Sequence, residues 1–296
     1  MLGEFIEQLR NRQDLDEAAA EQALERVLQP ETPDEEIRAF LIALADKGET
    51  PEEIAGFARG MRRMAVRVRS RHEYFVDTAG TGGGRPTFNI STTAAFVIAG
   101  AGVPVAKHGN RAATSRCGSA DVLEALGIPT RRPAEVSQQA LDEIGICFLF
   151  APTHHPSMQR VAQIRRELGR RTIFNLLGPL TNPAGAPCQL IGVFAPELTE
   201  KLGKVFQRLG TRRSLVVHSR DGFDELSTAA GNRVAEVGNG DFQLFEFQRM
   251  PVSDVPPVGG TPEENAALLA GILAGEIQGG ALGVVLLNAA AAVHLA

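Results

Sequence analysis

Residues 73–100 read EYFVDTAGTGGGRPTFNISTTAAFVIAG: a short apolar run, a cluster of glycines, and a second, longer apolar run. Glu73–Asp77 has the composition of a short strand. Gly80 to Gly84 follows as a loop, and after the turn at Arg85-Pro86 the segment Thr87–Thr92 opens a helix that continues through Ala94–Ala99. Asn89, Ser91 and Thr92 are residue types that cap a helix start. A strand, a glycine loop and a helix start in this order aim unpaired backbone N–H groups at one point, where an anion is favoured. Two nucleotide motifs are excluded. No Gly-Lys-Ser/Thr ending follows, and Arg85 stands where a dinucleotide fingerprint needs its third glycine.

The same alternation extends outward. Val103–Lys107, Ile146–Phe150, Leu190–Phe194 and Ser214–Ser219 are short apolar runs, separated by helical patterns such as Pro133–Glu143 and Pro196–Leu209. Strands spaced by helices predict an α/β fold with a mainly parallel central sheet flanked by helices. Arg233–Val237 and Phe242–Phe247 predict a late hairpin around Gly238-Asn239-Gly240-Asp241. The first seventy residues differ: they are helical, and Thr32-Pro33-Asp34-Glu35 and Thr50-Pro51-Glu52-Glu53 both read as capping boxes. Ile37, Phe40, Leu41 and Leu44 fall on one face at helical spacing.

Three further stretches carry chemistry. Residues 107–121, KHGNRAATSRCGSAD, place Lys107, His108, Arg111 and Arg116 among small and hydroxyl residues, which suits a polyphosphate better than a solvated turn. Asp224 and Glu225 follow the apolar run Ser214–Ser219, so adjacent carboxylates stand near a strand's carboxyl end. Beside phosphate loops such a pair suits Mg²⁺, which takes one or two protein oxygens and fills its shell with phosphate and water. Phe150–Met158, rich in proline and histidine, leads into a helix bearing Arg165 and Arg166. An arginine there either is solvated or forks onto a ligand carboxylate.

Gly80-Thr81-Gly82-Gly83, Asn89–Thr92, Lys107–Arg111, Gly118–Asp121, His155-Pro156, Arg165, Asn175–Leu180 and Asp224-Glu225 occur in this order. Together they closely resemble the anthranilate phosphoribosyltransferase family, over nearly the whole chain. The resemblance implies transfer of phosphoribose from 5-phosphoribosyl 1-diphosphate to the amine of anthranilate, with pyrophosphate leaving and Mg²⁺ (two ions) assisting. It implies a donor site of Gly80, Gly83, Gly84, Thr87, Asn89, Ile90, Ser91, Thr92, Lys107, His108, Gly109, Asn110, Arg111, Ser115 and Ser119. Gly80, His108, Asn110, Arg165 and Gly178 would meet anthranilate, and Ser91, Asp224 and Glu225 would serve the metal. No residue is assigned as general acid or base. The family fold implies a small helical domain, residues 1–70 joined by a middle segment of about 156–180, and an α/β donor-binding domain over 71–296. It also implies a homodimer through the N-terminal helices, which are too few to bury all their apolar faces internally.

Two departures stand out. Gly84 occupies the place where the family has Asp, in a loop about one residue short. The family also continues past Leu287–Ala292 with a further helical segment, so a shorter C-terminus is expected here. Two rivals are a pyrimidine nucleoside phosphorylase of the same fold and a non-enzymatic relative that binds nucleic acid. The first typically has Ser-Gly-Arg after Lys-His, where this chain has Gly109-Asn110-Arg111, and it has no evident use for Asp224-Glu225. The second predicts a basic protein, but the formal net charge is −5 and the pI about 5.8.

Composition agrees with a cytoplasmic enzyme that binds neither membrane nor nucleic acid. Hydrophobic residues make up 44% and charged residues 22%, ordinary values for a globular chain long enough for two domains. Cys117, Cys147 and Cys188 form no paired motif and read as reduced thiols. The apolar tail Ala281–Ala296 is short and interrupted by Asn288 and His294, so it predicts a buried helix rather than a membrane span.

Overall fold

In the computed structural model, which describes residues 1–112, 116–247 and 256–296, the chain opens with α1 (Gly3–Arg10), α2 (Glu17–Leu28), α3 (Asp34–Lys47) and α4 (Pro51–Met64). The capping box at Thr50 forms. Thr50 Oγ1 accepts from the Glu53 N–H at 3.2 Å, and Glu53 Oε2 accepts from the Thr50 N–H at 2.9 Å. Glu53 is fully buried, yet it also accepts from the Leu15 N–H and the Lys47 ammonium, so its charge is not left uncompensated. The matching box at Thr32 does not form. Pro33 is the N-cap residue of α3, and the Thr32 hydroxyl donates instead to the Arg26 carbonyl just before α2 ends.

The expectation that these helices cannot cover their apolar faces is also corrected. Leu9, Leu24, Ile37, Phe40, Leu44 and Phe57 are at most 1% exposed within the single chain. Val161, Ile164, Phe174 and Leu177, from much later in the sequence, pack into the same core and supply the cover.

Beyond α4 come β1 (Val76–Gly80), α5 (Ile90–Gly100), β2 (Val105–Gly109), α6 (Ser119–Ala125), α7 (Ala134–Ile144) and β3 (Ile146–Phe150). Next are α8 (Ala151–His154), α9 (Met158–Leu168), α10 (Phe174–Leu177), β4 (Cys188–Gly192), α11 (Glu197–Arg208) and β5 (Arg213–Ser219). The chain closes with β6 (Asn232–Gly238), β7 (Asp241–Phe247), α12 (Pro262–Leu273) and α13 (Gly280–Leu295). The strands form one seven-stranded sheet in the order β3-β2-β1-β4-β5-β6-β7. The first five are parallel, and β6 and β7 add an antiparallel hairpin. Its turn places Asn239 (φ 53°) and Gly240 (φ 89°) in the left-handed region, as a two-residue Asn-Gly hairpin requires.

The chain enters the sheet in the middle, runs outward to β3, then returns to lay β4 on the other side of β1. The order therefore reverses between β1 and β4, and an open α/β sheet binds its ligand outside the carboxyl ends at such a point. Helix α13 is the buried tail helix: Val284, Val285, Ala289, Ala292 and Leu295 pack with Ile90, Ala94 and Ile98 of α5 against the sheet. Among the described residues no helix is long and apolar enough to cross a membrane. Cys117, Cys147 and Cys188 are buried, and no disulfide joins any of them among the described residues.

Candidate active site

The glycine loop after β1 is attached to the ends of two neighbouring strands. The Thr81 N–H donates to Gly192 O at 2.9 Å, the Phe194 N–H donates to Thr81 Oγ1 at 3.1 Å, and the Arg85 N–H donates to Gly222 O at 2.8 Å. Gly82 and Gly83 take the left-handed φ values, 65° and 85°, that turn the loop back. Gly192 is required for another reason. A Cβ there would lie 1.5 Å from Asp224 O, so the acidic turn crosses directly over the end of β4. Gly80 and Gly84 face the same residue, and Cβ atoms on them would stand 3.1 and 3.0 Å from the Asp224 carboxylate. The loop and the acidic turn are thus one packed unit.

Thr78, Gly80, Ser91, Gly192, Asp224 and Glu225 line a single small cavity of about 20 Å³ at this switch point. Asn288 of α13 also lines it and holds the acidic turn from below. It accepts from the Leu226 N–H at 3.1 Å and donates to Leu226 O at 2.9 Å. Burial raises the Asp224 carboxyl above the usual carboxylate range. Glu225 is raised well above it, by burial first and then by the neighbouring Asp224 charge. Glu225 Oε2 is sealed from solvent and has no hydrogen-bond partner among the described residues. A buried acceptor without a donor is costly unless something else completes it. Two carboxylates and a hydroxyl, all hard oxygen donors, fit Mg²⁺.

Lys107, on β2, is 3% exposed and donates Nζ–H to Thr78 O at 2.5 Å and to Ser91 Oγ at 3.2 Å. Burial pulls its pKa down to about 8, against the attraction of Asp77 and Glu225. Asp77 is fully buried inside β1, and burial pushes it up to about 6 in spite of Lys107. Asn182 donates to Asp77 Oδ2 and to Ala106 O, both at 2.8 Å, and the His108 N–H donates to Asp77 Oδ1 at 3.0 Å. Asp77, Asn182 and Asn288 are positioning residues that the sequence reading missed. The signal for Asp77 was a lone charge within an apolar strand.

His108 Nδ1 lies 3.0 Å from Gly178 O. A carbonyl only accepts, so the proton sits on Nδ1, and the buried Nε2, without a partner among the described residues, carries the lone pair. Burial, and then His155, bring the ring down to about 3, so it is neutral. His155 binds the other end of the same turn through Nε2 and Thr181 O at 3.0 Å, with its ring 5.3 Å from that of His108. Gly178 therefore does stand beside His108.

Other predicted residues are placed less simply. Asn89 is the N-cap residue of α5, but its side chain donates to Cys117 O and accepts from Asn265 rather than capping the helix. Ile90 is a core residue whose N–H is taken by Phe88 O, which leaves it nothing to offer a donor. Thr92 Oγ1 is buried without a partner among the described residues, and Thr87 is half-buried before the helix. Ser119 Oγ accepts from the Asn110 N–H and donates to Asn110 O, both at 3.2 Å, just past Gly109. Arg111 is not a free cation, since it pairs with Asp121 at 2.9 Å and Glu124 at 2.6 Å. Ser115 lies outside the described residues. Arg165 touches Phe174, 5.6 Å from the ring centre, rather than the loop residues. It is half-buried, its pKa is lowered by burial, and it has no carboxylate partner among the described residues.

A glycine loop joined to an acidic turn at the switch point of a parallel sheet, with a helical bundle beside it, defines a glycosyl transferase. A model of the glycosyl transferase family's a/b domain matches residues 72–296, and one of its helical bundle domain matches residues 3–65. The anthranilate phosphoribosyltransferase of Moorella thermoacetica is 50% identical over 301 residues, covering 99% of this chain and 88% of that protein. That of Symbiobacterium thermophilum is 52% identical over 295 residues, covering 98% and 86%. The crystal structure of the Thermus thermophilus enzyme superposes with a TM-score of 0.91 at 44% identity, covering 98% of this chain and 88% of that one. The Saccharomyces cerevisiae enzyme in complex with PRPP and Mg gives 0.89 at 26%, covering 98% and 87%. The chain belongs to the anthranilate phosphoribosyltransferases.

Proposed function

We propose that this chain transfers phosphoribose from 5-phosphoribosyl 1-diphosphate to the amine of anthranilate at the carboxyl edge of β1, β4 and β5, with Mg²⁺. The observation that carries the reading is the sealed Glu225 Oε2, without a hydrogen-bond partner among the described residues, beside Asp224 and Ser91 in one cavity. These three residues would hold the metal as two ions, which when bound neutralises charge on the departing diphosphate. Lys107 is protonated below about 8 and adds a fixed cation behind the same edge. Arg165 forks onto the anthranilate carboxylate, while Asn110 and the turn at Gly178 shape the pocket around it. The acceptor amine is already nucleophilic, so positioning supplies much of the effect and no strong base is needed. His108 fits this, since a ring brought down to about 3 orients neighbours rather than taking a proton at neutral pH.

The division into residues 1–70 with about 156–180, and 71–296, follows from this reading. A homodimer rests on the family resemblance alone, and the open groove between α1 and α3 that Ile6, Glu7, Arg10 and Ala39 line would seat it. Sedimentation at micromolar concentration that finds only monomer removes the dimer. Three buried cysteines outside any disulfide suit the cytoplasm. The deciding experiment offers the protein either anthranilate, 5-phosphoribosyl 1-diphosphate and Mg²⁺, or a pyrimidine nucleoside and phosphate, with products followed by mass spectrometry. Phosphoribosylanthranilate in the first mixture and no free base in the second is the expected result. The reverse outcome refutes the proposal.

A further inference from the structure

Two consecutive arginines behave differently at the end of the segment that carries Arg165. Arg170 makes an ordinary surface ion pair with Asp46 at 2.7 Å. Arg171 has no carboxylate partner among the described residues and turns toward the glycine loop instead. Its guanidinium lies on the Phe194 ring, 3.6 Å from the centroid, and Nη2–H donates to Gly83 O at 3.4 Å. The contact is close, since a Cβ on Gly83 would come within 2.8 Å of Nη2. Phe194 is itself joined to the loop, its N–H donating to Thr81 Oγ1 at 3.1 Å. The span back to Arg165 is short and braced. The Thr172 N–H donates to Asn175 Oδ1 at 2.9 Å, and Phe174 lies under the Arg165 guanidinium.

We propose that Arg171 is a positioning residue that ties the segment bearing Arg165 to the glycine loop, so that ordering one substrate's site orders the other's. The inference rests on the reading above, in which the loop meets the donor and Arg165 the acceptor. The side chain must do two things at once. A planar guanidinium can lie flat on Phe194 while donating in its own plane to Gly83 O, and an ammonium cannot. The link joins the glycine loop, which carries Gly83 in the left-handed region, to a segment that packs in the helical core.

The test compares wild type, Arg171→Ala and Arg171→Lys by thermal unfolding, by KM for 5-phosphoribosyl 1-diphosphate and for anthranilate, and by kcat. Loss of an exposed stack and one charged hydrogen bond predicts a roughly fivefold rise in donor KM for Arg171→Ala. At saturating donor the anthranilate KM stays near wild type, and Arg171→Lys recovers less than half of the loss. An unchanged donor KM in folded Arg171→Ala overturns the inference. If that variant does not fold, Arg171→Lys decides alone, and a wild-type donor KM there overturns it equally. Arg165→Ala separates the two levels. An unchanged anthranilate constant removes the underlying reading, whereas a changed one with silent Arg171 variants removes only this link.

Discussion

Gly192→Ala isolates the crossing of the acidic turn over β4 with a single methyl group. The new Cβ would lie 1.5 Å from Asp224 O and 2.6 Å from Asp224 C, where ordinary contact begins near 3.4 Å. Both atoms are backbone, so no side chain can rotate away, and the turn must move by about 2 Å. Overpacking of this kind costs about 1–3 kcal/mol, which in a chain of this size lowers Tm by several degrees. The effect on catalysis is larger, because a misplacement of about 1 Å can cost on the order of a hundredfold in rate. The assay is kcat as a function of Mg²⁺ concentration, with Tm measured in parallel. A drop of about a hundredfold or more, with more Mg²⁺ needed for half-maximal rate, is the expected result. Gly100→Ala is the control, since nothing lies within 4 Å of its Cβ position at the end of α5, and its kinetics should match wild type. Normal turnover and a normal Mg²⁺ curve in Gly192→Ala would falsify the claim that the Asp224 turn is the metal-holding element.

Gly84→Asp places a Cβ 3.0 Å from Asp224 Oδ1 and a third carboxylate beside the pair, so donor or Mg²⁺ affinity should change while anthranilate KM holds. A change confined to anthranilate would contradict this placement of the loop. Arg165→Ala should weaken anthranilate binding by about ten- to a hundredfold, the range of a charge-assisted pair, and Arg165→Lys should recover only part. An unchanged acceptor constant shows that another residue reads the carboxylate. His155 is held neutral by burial, with its pKa brought from 6.5 down to about 4. The unfolded chain therefore binds its proton more tightly, and the stability it contributes is full above 6.5 and drains as pH falls toward 4, by up to about 3 kcal/mol. Chemical denaturation across that window should show a shallower acid loss for His155→Gln than for wild type, and parallel curves would count against it.

The strand, glycine loop and helix start were legible because each rests on local chemistry, and so was the Asn239-Gly240 hairpin. Strand limits were not. The run at Glu73 was expected to begin a strand, but pairing starts at Val76 and extends to Gly80 because β4 offers partners as far as Gly192. Parallel strands end where their neighbours end, which one segment cannot show. The basic stretch at Lys107 was read as a polyphosphate loop of fixed cations, yet Arg111 is paired with Asp121 and Glu124 of the following helix. The same loop's lysine is buried rather than extended toward solvent. Thr32 failed as a cap because the end of α2 claimed its hydroxyl. The carboxylate pair was found from its place after an apolar strand, but its support from Asn288 comes from the far end of the chain and leaves no local trace.

The most direct test of the account is the loss of anthranilate fluorescence with 5-phosphoribosyl 1-diphosphate and Mg²⁺, run side by side on wild type and Asp224→Ala/Glu225→Ala. The double variant removes two raised carboxyls that repel one another, so it should melt no lower than wild type. Wild type should consume anthranilate only when Mg²⁺ is present, and the folded double variant should be slower by roughly a hundredfold or more. Near-normal consumption by the double variant, or none by wild type, would contradict the account.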